Sequence, residues 1–260
     1  MKRRQFLAAA GAAGLASLGR ADSAAAKPAG SKQVLELKLY QCTSQAQWAR
    51  LVEFLTQAMV PALNRAGIQP VGVFQPVKED ELNLYVLLPH KSAESVVMTT
   101  AKLLADEKYV AAGKDWLNLP KKDPLFARIE SSLLLAFDAV PAVETLKEKK
   151  DTRVFQLRIY EAHNVERGQK KIEMFNTGGE VATFRKCGMN PIFFGEAIVG
   201  TKIPNLTYML GFDNEDAQKA AWAKFMKHPD WKRISKDPQY RNTVSRITNL
   251  LLRPAAASQI

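Results

Sequence analysis

Residues with ready chemistry are sparse in this chain of 260: two cysteines, Cys42 and Cys187, and three histidines, His90, His163 and His228. The histidines are far apart and none stands in a metal spacing such as H-x-x-x-H, so no metal site is expected. Glu161-x-His163 is the only short carboxylate–imidazole pair, and it reads first as a structural or solvent-facing pair. Neither cysteine has a basic neighbour placed to activate a thiolate. Cys42 follows the first strand, while Cys187 closes a helix running to the other end of its unit. A bridge needs Cα atoms within about 7 Å, so this placement disfavours one. No G-x-S-x-G elbow is present, and Gly178-Gly179 lies inside a helical pattern rather than between a strand and a helix. Those absences argue against serine hydrolysis and against a phosphate-cradling loop, and no cofactor is expected.

A long hydrophobic run is also missing. Lys2-Arg3-Arg4-Gln5-Phe6-Leu7 leads into small and apolar residues, Ala8 to Leu18, then Ala24-Ala25-Ala26. That run falls short of the roughly 20 residues needed to span a bilayer, so a cleaved signal over 1–26 fits better than an anchor. The paired arginines before Phe6-Leu7 resemble a twin-arginine export signal, which implies a bacterial protein folded before transport to the periplasm or cell envelope. Loss of 1–26 removes Lys2, Arg3, Arg4, Arg20 and Asp22, and net charge falls from +11 to +8. The remaining lysines are interspersed with acids along helices. They suit solvated faces and at most weak contact with an anionic membrane surface, not nucleic acid.

What the chain has in place of motifs is repetition. Val34-Leu35-Glu36-Leu37-Lys38-Leu39-Tyr40 returns as Val154-Phe155-Gln156-Leu157-Arg158-Ile159-Tyr160, and Gly67-Ile68-Gln69-Pro70 as Gly188-Met189-Asn190-Pro191. An offset near 120 held across a unit indicates a duplicated domain, since solenoid periods are about 20–50 residues. A spacer at 27–33 precedes a first unit at 34–137. A charge-rich surface linker follows at 138–153, then a second unit at 154–253 and a tail at 254–260. Each unit reads β-α-β-β-α-β: an alternating strand, a helix striped by Trp48, Leu51, Val52, Leu55, Met59 and Leu63, two short strands about a charged turn at Lys78-Glu79-Asp80, a second helix and a closing strand. Pro61 in one unit and Gly178-Gly179 in the other predict a bend or break in the first helix of each. The expected fold is α+β: two tandem ferredoxin-like units forming a pseudo-symmetric dimeric α+β barrel.

The second unit carries a resemblance. Phe155-x-Leu157-Arg158-x-Tyr160, Pro191-Ile192-Phe193-Phe194-Gly195, Asn205-Leu206-Thr207-Tyr208-Met209-Leu210, and Trp222-x-x-Phe225 followed by His228-Pro229-Asp230-Trp231 are similar to a NIPSNAP-family domain. The first unit resembles it more loosely, through Leu35–Tyr40 and Asn83-Leu84-Tyr85-Val86. The resemblance implies a dimeric α+β barrel, of which tandem forms occur. It implies no defined reaction, and Tyr208 stands near where family members commonly have histidine.

In both first strands the alternation separates an apolar side (Leu35, Leu37, Leu39; Phe155, Leu157, Ile159) from a polar one. With the apolar side against the helices, Glu36, Lys38, Tyr40, Gln156, Arg158 and Tyr160 line the barrel interior. The expected ligand contacts are Arg158, Tyr160, Tyr208, Glu196, Lys38 and Tyr40; the structural alternative pairs Arg158 with Glu36 or Glu196. Trp222, Phe225 and Trp231, at helical spacing, read as core. These features point to an exported binding protein for a small molecule or protein partner, as a monomer or homo-oligomer. A cofactor-independent oxygenase- or isomerase-like enzyme and an envelope interaction module are the alternatives.

Overall fold

Eight strands close into a single barrel in the order β1-β3-β2-β8-β5-β7-β6-β4, every pairing antiparallel. They are β1 (Val34–Gln41), β2 (Gly72–Pro76), β3 (Asn83–His90), β4 (Arg128–Ala136), β5 (Val154–Glu161), β6 (Asn190–Val199), β7 (Asn205–Phe212) and β8 (Arg246–Pro254). The computed structural model describes residues 32–78, 81–148 and 150–260. The signal-like segment 1–26, most of the spacer and Glu79-Asp80 of the expected charged turn lie outside them. Each half orders its strands fourth-first-third-second, and the halves join through β2–β8 and β4–β6.

The faces of the first strands are the reverse of the sequence expectation. Leu35, Leu37, Phe155 and Leu157 pack with Phe74, Leu87, Leu134, Phe193, Met209 and Leu252, residues drawn from all eight strands and from no helix. They fill the barrel interior, while Glu36, Lys38, Tyr40, Gln156, Arg158 and Tyr160 face the helices. An eight-stranded barrel is just wide enough to be filled by side chains, and its middle offers no partner for a polar group. The helix layers do offer partners. Gln156 donates to Asn249 Oδ1 at 2.7 Å and accepts from Trp222 Nε1 at 2.6 Å and Gln218 Nε2 at 3.2 Å.

The helices lie outside the barrel. In the first half α1 (Gln45–Phe54) runs through a π turn, Leu55–Met59, into α2 (Val60–Arg65). Pro61 has no N–H to donate to the carbonyl one turn back, and the ladder is already displaced there, with Val60 N–H bonded to Leu55 O. In the second half α5 (Val165–Phe175) stops and α6 (Glu180–Lys186) restarts after Gly179, whose φ of 90° suits glycine. Both interruptions fall where the sequence predicts them. The second helix of each unit is also divided: α3 (Ala93–Leu104) with α4 (Glu107–Leu117), and α7 (Glu215–Lys227) with α8 (Pro229–Ile234).

Two connecting segments are more buried than their composition suggests. Val140 of the linker is fully buried, and Arg153 reaches back to Glu148 O. The C-terminal segment lies along β2, with Ala255 N–H on Val73 O at 2.8 Å and Gln259 N–H on Val71 O at 2.9 Å. Both cysteines are free thiols.

Candidate functional site

Between the first-half sheet and its helices lies a cavity of about 440 Å³. Lys38 and Tyr40 form its floor, Phe54 and Leu63 one wall, and Thr99, Thr100, Leu103, Tyr109 and Trp116 of α3 and α4 the roof. The lining is apolar and aromatic except for one ammonium group, two phenols and the side chains of Thr99 and Thr100, the mixture typical of small-molecule sites. Among the described residues neither the Tyr40 nor the Tyr109 hydroxyl has a hydrogen-bond partner in the protein. Burial, with Glu36 and Tyr109 nearby, pushes the Tyr40 phenol well above its usual range; burial also raises Tyr109. Both phenols therefore stay protonated at neutral pH and present themselves as donors.

The floor is held by a buried polar cluster. Glu36 binds Lys38 Nζ at 3.0 Å and accepts from Ser131 Oγ at 2.8 Å, and His90 Nε2 stands 3.5 Å from its second oxygen. Burial opposes charge on Glu36, but His90, Lys38 and Ser131 outweigh it and hold the carboxyl at about 2. His90 is 1% exposed and its Nδ1 meets Ser95 Oγ at 3.1 Å. The expected partner for Glu36 was Arg158; its partners are instead on its own strand and the two flanking ones.

The same layer in the second half is packed. Phe175, Phe184, Phe194, Tyr208, Trp222 and Phe225 interlock, with Phe194 stacked on Tyr208 at 4.7 Å and 8°. Arg158 lies over Trp222 at 4.7 Å and Tyr160 at 5.1 Å, and among the described residues it meets no carboxylate. Neither Glu36 nor Glu196 pairs with it, so both expected pairings are corrected; aromatic faces supply its company. Tyr208 donates to Tyr160 Oη at 3.0 Å, and burial raises both phenols. Glu196 accepts from Gln169 and borders a crevice of about 90 Å³ that also touches Tyr160 and Lys171. Lys171, expected on a solvated helix face, is instead buried and pairs with the buried Glu180 at 2.8 Å.

Matched positions explain why one half is hollow. Val86 stands opposite Lys38 in the register where Tyr208 stands opposite Arg158. Val73 pairs with Val86 where Phe194 pairs with Tyr208. Counting from the N-caps Ser92 and Asn214, Thr100 takes the place of Trp222 and Leu103 that of Phe225. The first half is smaller at all four positions; of the four, Thr100 and Leu103 line the cavity with Lys38, while Val73 and Val86 are buried beside it in the core.

The structure thus brings Lys38 and Tyr40 together on one side of the barrel and Arg158, Tyr160 and Tyr208 together on the other. It does not converge the two sets on one interior, because both point outward from the barrel. Tyr109, Trp116 and Thr100 were missed. The smaller residues are the only signal that could have exposed them, once α3 is laid against α7.

The fold has known counterparts. The chain is similar to a provisionally assigned monooxygenase from Fusobacterium nucleatum, at 8% identity over 86% of this chain and 93% of that one, with a TM-score of 0.57. Another provisionally assigned monooxygenase, from Lactobacillus acidophilus, has 14% identity over 88% and 97%, with a TM-score of 0.56. An anthrone oxidase-like protein has 12% identity over 88% and 95%, with a TM-score of 0.53. At such identities the likeness is one of fold alone. No curated protein matches the chain. The NIPSNAP family model matches residues 155–259, in the second half of this chain.

Proposed function

We propose that the protein is a duplicated ferredoxin-like chain that binds one flat, largely apolar small molecule in the first-half cavity. The observation that carries this reading is that Thr100 and Leu103, which line the cavity, stand where the second half has Trp222 and Phe225. Duplication is supported by the 120-residue offset and the shared strand order. One half keeps its layer filled for stability, and the other leaves it open. The ligand class follows from the walls: aromatic faces for a planar ring system, with Lys38, Tyr40 and Tyr109 donating to one acceptor group. Arg3-Arg4 with Phe6-Leu7 supports export of the folded chain to the periplasm or envelope.

The alternative is a cofactor-independent oxygenase acting on a similar molecule, and the anthrone oxidase-like neighbour raises a polycyclic ketone as the substrate class. Phenols held protonated by burial favour hydrogen bonding over proton abstraction, which ranks binding first. Titration with anthraquinone-2-sulfonate, followed by Trp116 fluorescence, tests the reading. Saturable binding of one molecule per chain, weakened at least about tenfold by Thr100→Trp with no loss of thermal stability, is expected. Equal binding by Thr100→Trp, or none by the wild type, would contradict it. Turnover of an anthrone would move the protein to the enzyme class.

A further inference from the structure

The helix that roofs the cavity exposes several apolar residues on its outer face. α3 buries only Thr99 and Leu103. On the opposite side Val97 is 79% exposed, Leu104 62% and Met98 42%, and Ala101 and Ala105 are exposed between them. At 100° per residue these five fall on one side of the helix, with Glu94 one turn before Val97 and Met98 and with Leu104 at the edge nearest the cavity. Counted from the N-caps, the matched positions of α7 are Lys219, Ala220, Ala223, Met226 and Lys227, all exposed, so lysines stand there in place of Val97 and Ala105. The outward stripe is therefore uninterrupted by lysine in α3 and bounded by two lysines in α7.

We propose that this face docks on an anionic membrane surface and that the cavity takes its ligand from the bilayer; the second clause rests on the cavity reading above. Charge complementarity favours that occupant. Lys91, Lys102, Lys108, Lys114, Lys121 and Lys122 are exposed in and beside the α3–α4 hairpin, against Glu94, Glu107 and Asp115. Asp106 and Asp123 are already paired with Arg65 and Arg50. An apolar helix face fringed by lysines is the pattern of a helix lying in a lipid interface. Position adds a second argument, because Thr100 and Leu104 line the cavity and are exposed on the same helix. A bilayer under α3 would meet the cavity mouth with apolar material. A second copy would oppose lysines to lysines and close the mouth.

The test is co-sedimentation of the full chain with vesicles of phosphatidylcholine containing one quarter phosphatidylserine, and with phosphatidylcholine alone. Preferential binding to the anionic vesicles is expected, falling as salt rises. Val97→Asp with Ala101→Asp, two substitutions outside the cavity lining, should weaken it at least about tenfold. Lys102→Gln with Lys108→Gln should weaken it about fivefold per charge. Anthraquinone-2-sulfonate binding in solution should be unchanged in the Val97→Asp, Ala101→Asp protein. A wild type that binds the dye but not the vesicles would overturn the docking and leave the cavity standing; the reverse would overturn the cavity alone. Equal vesicle binding by the aspartate variant would also overturn the docking. So would a wild-type dimer that the aspartate variant converts to monomer, which would assign the face to a second copy.

Discussion

Replacing Glu36 by glutamine removes one charge from the buried cluster that holds the cavity floor and keeps its shape. Relative to an unperturbed 4.5, the folded carboxyl sits at about 2. At about 1.4 kcal/mol per pH unit, that difference corresponds to about 3 kcal/mol of preference for the ionised form in the folded state. Because the folded value lies below the unfolded one, the stabilisation is present above pH 4.5 and is lost as pH falls toward 2. Glu36→Gln should therefore cost about 3 kcal/mol at pH 7, a fall in Tm of about 6–12 °C for a chain of this size. The gap should narrow steadily below pH 4.5 and close near pH 2. Thermal melts followed by circular dichroism from pH 7 to pH 2 read both quantities. A gap that stays constant with pH would refute the reasoning, since it would trace the loss to shape or packing rather than to the charge shared with Lys38 and His90.

Other outcomes follow from the second half. Lys171→Met alone should cost about 3–5 kcal/mol by stranding Glu180, while Lys171→Met with Glu180→Leu should recover most of it in urea unfolding. Arg158→Ala should cost about 1–2 kcal/mol, from contacts with Trp222 and Tyr160 rather than from a lost ion pair, and the loss should be nearly independent of salt. Tyr208→Phe should cost about 1 kcal/mol through the hydrogen bond to Tyr160, measured in the same way.

The strands, their order within each half and both interruptions of the first helix were legible because each has a local cause: period-two alternation, Pro61, Gly178-Gly179. The direction of the faces was not. Alternation at Leu35–Tyr40 shows that two sides differ, but both sides of this sheet are covered. Which of them meets the helices depends on closure of the barrel, a property of all eight strands together. The cavity was hidden for a related reason. Thr100 and Leu103 are unremarkable in a helix and gain meaning only beside Trp222 and Phe225, and the residues that complete the lining come from α4, which the sequence pattern did not separate from α3. Lys38 and Tyr40 were found, but with the wrong neighbours, because Arg158 and Tyr160 lie in the other layer.

Native mass spectrometry of the protein purified from its native cells addresses the central claim, that the first-half layer is hollow in order to hold a ligand. The account predicts a wild-type chain carrying one small aromatic molecule and a Thr100→Trp chain that is folded and empty. Wild-type and Thr100→Trp chains with identical masses apart from the substitution would contradict it.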